Sequence, residues 1–143
     1  MNRILLVEDN EDDIDLTLLA FQRSRLANEV IVARDGVEAL TLLHGDAETP
    51  PLPPPTVVLL DLKLPRIDGF EVLRQIRANP ATRLLPVVVL TSSAQERDLV
   101  QTYASGANSY IVKPVDFEQF LESAQQIGMY WLMLNSTPPA EGS

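Results

Sequence analysis

Five short apolar runs, rich in β-branched residues, constrain the fold of this 143-residue chain more than any other feature. They span residues 4–7, 30–33, 57–60, 87–90 and 110–112. Each run is continuously apolar rather than alternating with polar residues, which is typical of strands buried on both faces of a parallel sheet. Parallel strands need long crossover connections, and helices usually supply them.

Helix-like segments separate and follow these runs. They span about residues 10–27, 36–43, 70–78, 94–104 and 116–134. In the last segment, apolar residues recur at three- and four-residue spacing, as on the buried face of a helix. Strands that alternate with helices predict right-handed crossovers, with helices on both faces of one sheet. The predicted fold is therefore a flavodoxin-like (βα)5 doubly wound parallel sheet, with strand order 2-1-3-4-5.

Two proline-rich segments lie outside this pattern. Residues 45–56, GDAETPPLPPPT, predict an extended surface loop before the third strand. The polar ending, NSTPPAEGS, predicts a disordered tail. We therefore expect one domain over residues 1–134 and a tail over residues 135–143.

The composition of the chain argues against several classes of protein. The formal net charge is -9, whereas nucleic-acid binding depends on Lys and Arg that neutralise phosphates. The chain contains no cysteine, which is compatible with a reducing compartment. The apolar runs are too short to span a membrane, and the first residues lead into a strand without a signal peptide. We expect a cytoplasmic protein that contacts neither nucleic acid nor membrane.

Polar side chains follow the predicted strands at their carboxyl ends, where open α/β sheets bind ligands. They are Glu8 and Asp9 after the first strand, Asp61 after the third, Thr91 and Ser92 after the fourth, and Lys113 after the fifth. One edge of the sheet is therefore expected to gather three acids, two hydroxyl groups and an ammonium group.

Charge repulsion among the three acids predicts a metal site. Two like charges about 4 Å apart cost about 4 kcal/mol at an effective dielectric constant of about 20. A divalent cation with oxygen ligands relieves this cost, and Mg²⁺ suits a shallow site that keeps several waters. A carboxylate beside Mg²⁺ can attack phosphorus and form an aspartyl phosphate. We therefore predict that Asp61 accepts a phosphoryl group, with Lys113 and Thr91 binding two of its oxygens.

Four segments at these positions resemble the response-regulator receiver domain of two-component signalling. They are VEDNEDD near the start, LLDLKLPRIDG around Asp61, VVVLTSS around Thr91 and SYIVKPVD around Lys113. The resemblance covers about residues 3–134. Because four separate segments match, it is specific.

The resemblance implies a role for each residue near the metal. Asp9 and Asp61 would ligate Mg²⁺ together with the backbone carbonyl of Lys63, and Glu8 would complete the acidic pair indirectly. Lys63 and Ser93 would also tune the lifetime of the acyl phosphate, because family side chains at these places influence how water reaches it.

The resemblance also implies a switch. Thr91 and Lys113 would sense the new charge, and Tyr110 resembles the family's switch aromatic, which changes rotamer as the threonine moves. The bond from Lys113 to Pro114 is expected to be cis, a form essentially confined to proline.

A partner follows from the same resemblance. Asp61 would take its phosphoryl group from a phosphohistidine on a sensor histidine kinase. The only histidine is His44, so the chain is not expected to be its own donor. A closer resemblance, to the single-domain regulators that partner bacterial phytochromes, is carried by VEDNEDD, the proline-rich insert and the ending MYWLMLNSTPP. It implies a bacteriophytochrome-type kinase and a stand-alone receiver that signals by protein contact.

The last predicted helix bears apolar residues on a wide arc. Met129 and Met133 lie off the face that carries Trp131, and Tyr130 lies off it on the other side. Methionine is common on adaptable binding surfaces. We predict a homodimer through this helix and its neighbours; the alternative is that the tail folds back over the patch.

Two other functions fit part of the pattern. A Mg²⁺-dependent phosphohydrolase resembling the haloacid dehalogenase family would carry a second Asp where this chain has Lys63. A receiver-like binding module would work without phosphate and would not need the whole set of polar groups. We therefore expect a phosphoacceptor that catalyses its own phosphorylation and dephosphorylation, not an enzyme with an external substrate.

Overall fold

A computed structural model describes residues 3–24, 29–92, 106–113 and 115–129 of the chain. Its sheet has five strands: β1 (Arg3–Val7), β2 (Glu29–Ala33), β3 (Val57–Asp61), β4 (Val87–Thr91) and β5 (Ser109–Val112). All neighbouring strands are parallel, and their order is β2-β1-β3-β4-β5. The predicted flavodoxin-like sheet and its strand order are confirmed.

Four helices lie within the described residues. They are α1 (Glu11–Ser24), α2 (Gly36–His44), α3 (Gly69–Ala78) and α4 (Phe117–Gln126). None of these four is long and apolar enough to cross a bilayer. The helix predicted over residues 94–104 and the tail predicted over residues 135–143 lie outside the described residues.

Helices cover both faces of the sheet, as the continuously apolar strands predict. On one face, α1 and α4 pack over β1, β3 and β4, and the rings of Phe21 and Phe120 meet edge to face with centroids 4.8 Å apart. On the other face, α2 and α3 pack over alternate residues of the same strands. The carboxyl ends of the strands are therefore held in a close-packed frame.

The proline-rich segment, residues 45–56, is held against the domain at two points. The Leu52 N–H donates to the Leu42 carbonyl at 2.9 Å, and the Thr56 N–H donates to the Arg3 carbonyl at 2.7 Å. Most of its prolines are exposed, whereas Pro55 is buried. The segment is a surface loop, as expected, and it lies away from the carboxyl ends of the strands.

The predicted length of the last helix is wrong. The helix ends at Gln126, and Gly128 follows with a φ of +77°. The Met129 N–H donates to the Ala124 carbonyl at 2.8 Å, and the Gly128 N–H donates to the Gln125 carbonyl at 3.1 Å. This is the Schellman arrangement, in which glycine takes the left-handed conformation that ends a helix.

The same turn buries Met129, one of the residues on which the predicted dimer depends. Met129 follows the helix and is only 7% exposed, because it packs into the core beside Phe120 and Ala124. It is therefore not part of a surface patch, contrary to expectation. Tyr130, Trp131 and Met133, which also supported the dimer, lie outside the described residues.

Candidate metal and phosphoryl site

An open cleft of about 540 Å³ lies at the carboxyl ends of β1, β3 and β5. It is lined by Glu8, Asp9, Asn10, Glu11, Asp13, Asp61, Lys63, Ser92 and Lys113. Five of these residues are acidic and two are lysines. The structure thus brings together the acidic pair, Asp61 and Lys113 that the sequence placed at one edge of the sheet.

Strand register brings the two most buried acids of this cleft together. In the pairing of β1 with β3, Val7 lies opposite Leu60, so the residues that follow them, Glu8 and Asp61, emerge side by side. The Glu8 N–H extends the sheet by donating to the Ala33 carbonyl at 2.9 Å. Glu8 is 1% exposed and Asp61 is 4% exposed. Both carboxylates are therefore fixed by backbone that cannot shift independently of the sheet.

Each oxygen of the Asp61 carboxylate has a donor in place. Oδ1 accepts from the Lys63 N–H at 3.1 Å, and Oδ2 accepts from the Lys113 ammonium at 3.2 Å. Behind the carboxylate, the Gly69 N–H donates to the Leu62 carbonyl at 2.9 Å and closes the turn after β3. Asp61 Oδ1 is thus held by a backbone N–H group, while Oδ2 faces the Lys113 ammonium in the cleft.

Gly69 is needed because this turn passes directly beneath Asp61. A Cβ atom on Gly69 would lie 2.3 Å from the Asp61 carbonyl oxygen and 2.6 Å from the Leu62 Cα. Gly69→Ala is expected to lower the free energy of unfolding by about 3 kcal/mol, since backbone atoms cannot yield as a side chain can. Urea unfolding measures this loss.

Gly128→Ala is the matched control for that substitution. Its added Cβ would meet no atom within 4 Å, so its cost comes only from the φ of +77°, about 1–2 kcal/mol. Equal losses for the two variants would contradict the steric account of Gly69.

Lys113 lies at the centre of the acidic cluster. Its Nζ lies 2.7 Å from Glu8 Oε1, 3.0 Å from Asp13 Oδ2 and 3.2 Å from Asp61 Oδ2. The other oxygen of Glu8 accepts from the Asn10 N–H at 3.1 Å. Asp13 is not among the site residues predicted from the sequence, because an acid in the first turn of a helix gives no sign of a contact with Lys113.

Burial and charge shift two pKa values in this cluster. Burial raises the pKa of Glu8 to about 7, against the opposing effect of the Lys113 hydrogen bond, and the charge of Asp61 adds to the rise. Burial by itself would lower the pKa of Lys113, but hydrogen bonds to Glu8 and Asp13 and the charge of Asp61 outweigh it and raise that pKa. Lys113 is therefore a permanent cation in this cleft.

The donor set fits a hard divalent cation. Glu8, Asp9 and Asp61 each offer a carboxylate oxygen, and these oxygens all lie within 4.8 Å of one another. Glu8 Oε1 is fully buried, and the Lys113 ammonium, 2.7 Å away, is the cation that neutralises it. Oxygen-only donors and an excess of negative charge are what Mg²⁺ or a similar ion satisfies.

Thr91 and Tyr110 lie on β4 and β5, the two strands that lead to this side of the cleft. Thr91 is the buried last residue of β4, and its carbonyl accepts from the Lys113 N–H at 2.8 Å. Tyr110 is half-buried on β5 and packs with the core cluster beneath α2 and α3. Ser93 and Pro114 lie outside the described residues, so neither the tuning position nor the cis bond is seen.

Residues 4–125 match the family model described as the response regulator receiver domain. This chain belongs to the response regulator receiver family. Membership implies phosphorylation on an aspartate and partnership with a histidine kinase. The receiver architecture predicted from the four sequence segments is therefore confirmed.

Similar proteins include regulators linked to phytochromes. The receiver is 50% identical to the bacteriophytochrome response regulator AtBRR, whose structure matches 94% of this chain and 98% of that one with a TM-score of 0.84. It is 38% identical to response regulator Rcp1 of Synechocystis sp., over 96% of this chain and 93% of Rcp1. A structure of Rcp1 with bound Mn²⁺ has a TM-score of 0.75, with 38% identity over 92% of this chain and 95% of that one.

Another relative is named for a different process. The receiver is 42% identical to the probable methanogenesis regulatory protein FilR2 of Methanothrix harundinacea, over 94% of this chain and 86% of FilR2. Membership of the family thus indicates the phosphoacceptor reaction, but it does not identify the partner kinase.

Proposed function

We propose that this receiver accepts a phosphoryl group on Asp61 with Mg²⁺ bound beside it. The observation that carries the proposal is the position of Asp61. Its carboxylate lies with Glu8 and Asp9 in one oxygen cluster, and the Lys113 ammonium lies 3.2 Å from its Oδ2. The Mn²⁺ named for Rcp1 supports a divalent ion, and the all-oxygen donor set favours Mg²⁺.

The proposed chemistry is an in-line transfer. A carboxylate oxygen of Asp61 forms the new bond to phosphorus, while the bond from phosphorus to the donor nitrogen breaks and its electron pair leaves with the imidazole. Lys113 donates to a phosphoryl oxygen, and the Thr91 hydroxyl would donate to another. Bound Mg²⁺ would supply further neutralisation of the phosphoryl oxygens. With donors and charges fixed in advance, positioning accounts for most of the catalysis.

Phosphorylation would be transmitted to a partner protein through a change in the surface of the receiver. Phosphorylation adds about -1.5 to -2 charges at Asp61, and Thr91 and Tyr110 would shift toward it. Tyr110 is half-buried on β5, the strand that pairs with the strand of Thr91, so its movement would alter the surface at that edge of the sheet. Slow hydrolysis by the same groups, tuned at Lys63 and Ser93, would reset the receiver.

We propose a phytochrome-type histidine kinase as the donor. The support is the 50% identity to the bacteriophytochrome response regulator AtBRR over nearly the whole chain. The cysteine-free composition suits the cytoplasm, where we place the reaction. Phosphotransfer from a purified bacteriophytochrome kinase that exceeds transfer from an unrelated kinase tests this choice of partner.

Incubation with Mg²⁺ and acetyl phosphate, followed by intact mass measurement, tests the receiver reaction itself. We expect one phosphoryl group per chain, and we expect it to disappear when EDTA replaces Mg²⁺. An adduct that forms equally well in EDTA would contradict the proposed metal-dependent transfer. Steady release of phosphate from small esters would instead favour the phosphohydrolase.

Homodimerisation through the C-terminal region remains a proposal. Its support is now the sequence of residues 130–134, YWLML, because Met129 is buried in the core of the single chain. Sedimentation velocity at micromolar concentration is expected to show a dimer. A monomer at these concentrations would overturn the proposal.

A further inference from the structure

Asp13 is fixed in place by the start of α1. Its N–H donates to Asn10 Oδ1 at 3.0 Å, so Asn10 caps the helix, and its carbonyl accepts from the Thr17 hydroxyl at 2.8 Å. From this first turn its side chain reaches Lys113, with Oδ2 3.0 Å from Nζ. The Asp13 side chain is 28% exposed and that of Lys113 is 12% exposed, so water screens this pair less than an open surface pair.

The three partners of Lys113 are not equivalent. The ammonium has three N–H donors and contacts three carboxylates, those of Glu8, Asp13 and Asp61. Glu8 and Asp61 also belong to the oxygen cluster that suits a cation, whereas Asp13 does not. When a cation occupies that cluster, the ammonium competes with it for Glu8 and Asp61, and Asp13 is the partner that stays available.

We propose that Asp13 is a positioning residue, which holds the Lys113 ammonium on the α1 side of the cleft so that cation and phosphoryl group can enter. The effect of Asp13 on phosphorylation rests on the proposed function, whereas its contact with Lys113 does not. Without Asp13 the ammonium keeps only Glu8 and Asp61 as partners, and it resists entry of Mg²⁺ more strongly. Asp13 thus acts through Lys113 and touches no reacting atom.

Mg²⁺ titration of the full chain by calorimetry tests this role. Asp13→Asn is expected to raise the Mg²⁺ dissociation constant about fivefold, through loss of the local pairing. Asp12→Asn is the matched control, because Asp12 is an exposed neighbour on the same helix turn and removes the same charge. It is expected to raise the constant by less than about twofold. Equal effects of the two variants would overturn the role of Asp13.

The same two substitutions in a Lys113→Met protein separate an effect on the position of the ammonium from a general effect on the helix. In Lys113→Met, Asp13→Asn is expected to change Mg²⁺ affinity no more than Asp12→Asn does, because there is no ammonium left to hold. Persistence of the fivefold effect in that background would overturn the proposal.

The acetyl phosphate reaction distinguishes failure of the inference from failure of the proposed function. If the variants show the coupling between Asp13 and Lys113 in Mg²⁺ affinity but the wild-type chain forms no adduct, the proposed function alone is contradicted. A wild-type chain that binds no Mg²⁺ would contradict both.

Discussion

Asp61→Asn is expected to abolish the phosphoryl adduct formed with acetyl phosphate and Mg²⁺. The substitution keeps the side-chain shape and the oxygen that accepts from the Lys63 N–H, but it removes the nucleophilic carboxylate and one charge of the cation site. Intact mass measurement on the two proteins, with circular dichroism to show an unchanged fold, checks the result.

Asp46→Asn is the control for that experiment. Asp46 is an exposed acid in the proline-rich loop, where its Oδ1 accepts from the N–H groups of Glu48 and Thr49. Asn can make the same contacts with the same change of charge, so the adduct is expected to form at the wild-type rate. An adduct of wild-type yield on the Asp61→Asn protein would place the phosphoryl group elsewhere.

Lys113→Met is expected to lower the free energy of unfolding of the metal-free protein by about 3 kcal/mol at pH 8, because it leaves buried carboxylates without their cation. Mg²⁺ is expected to bind more tightly to this variant and to restore part of the stability by linkage. Urea unfolding with and without Mg²⁺ measures both effects.

The loss is expected to shrink as the pH falls. Glu8 has a pKa raised to about 7 in the folded protein, against an ordinary value of 4.5, so the folded state binds the extra proton between these values. Stability therefore falls as the pH rises through this window. At pH 5 a protonated Glu8 no longer needs Lys113, and the substitution costs less than at pH 8.

Lys63→Met serves as the control for this series. Lys63 lines the same cleft but is exposed, so its removal is expected to change stability by less than about 1 kcal/mol at either pH. A Lys113→Met loss no larger than this, or one that grows as the pH falls, would contradict the account of the buried cluster.

The sheet could be predicted from the sequence because its strands are continuously apolar and β-branched. Since the predicted runs ended one residue before Asp61 and Thr91, the structure adds these two functional residues to the ends of β3 and β4. The convergence of Glu8, Asp61 and Lys113 followed from the rule that parallel strands end at one edge.

Other features could not be read as reliably, for physical reasons. Apolar periodicity continues past Gln126, and only the possibility of a left-handed Gly128 signalled the end of α4. Asp-Gly is a typical turn sequence and Asp68 caps α3, but the approach of Gly69 to Asp61 depends on tertiary packing. Asp13 resembled an ordinary first-turn carboxylate, because its contact with Lys113 joins residues 100 positions apart.

The most direct test is to locate the phosphoryl group chemically. After reaction of the wild-type chain with acetyl phosphate and Mg²⁺, borohydride reduces an aspartyl phosphate to homoserine, and peptide mass spectrometry finds the converted position. We expect conversion at position 61 alone. Conversion at position 9 or 13, or a phosphoryl group retained on His44, would contradict it.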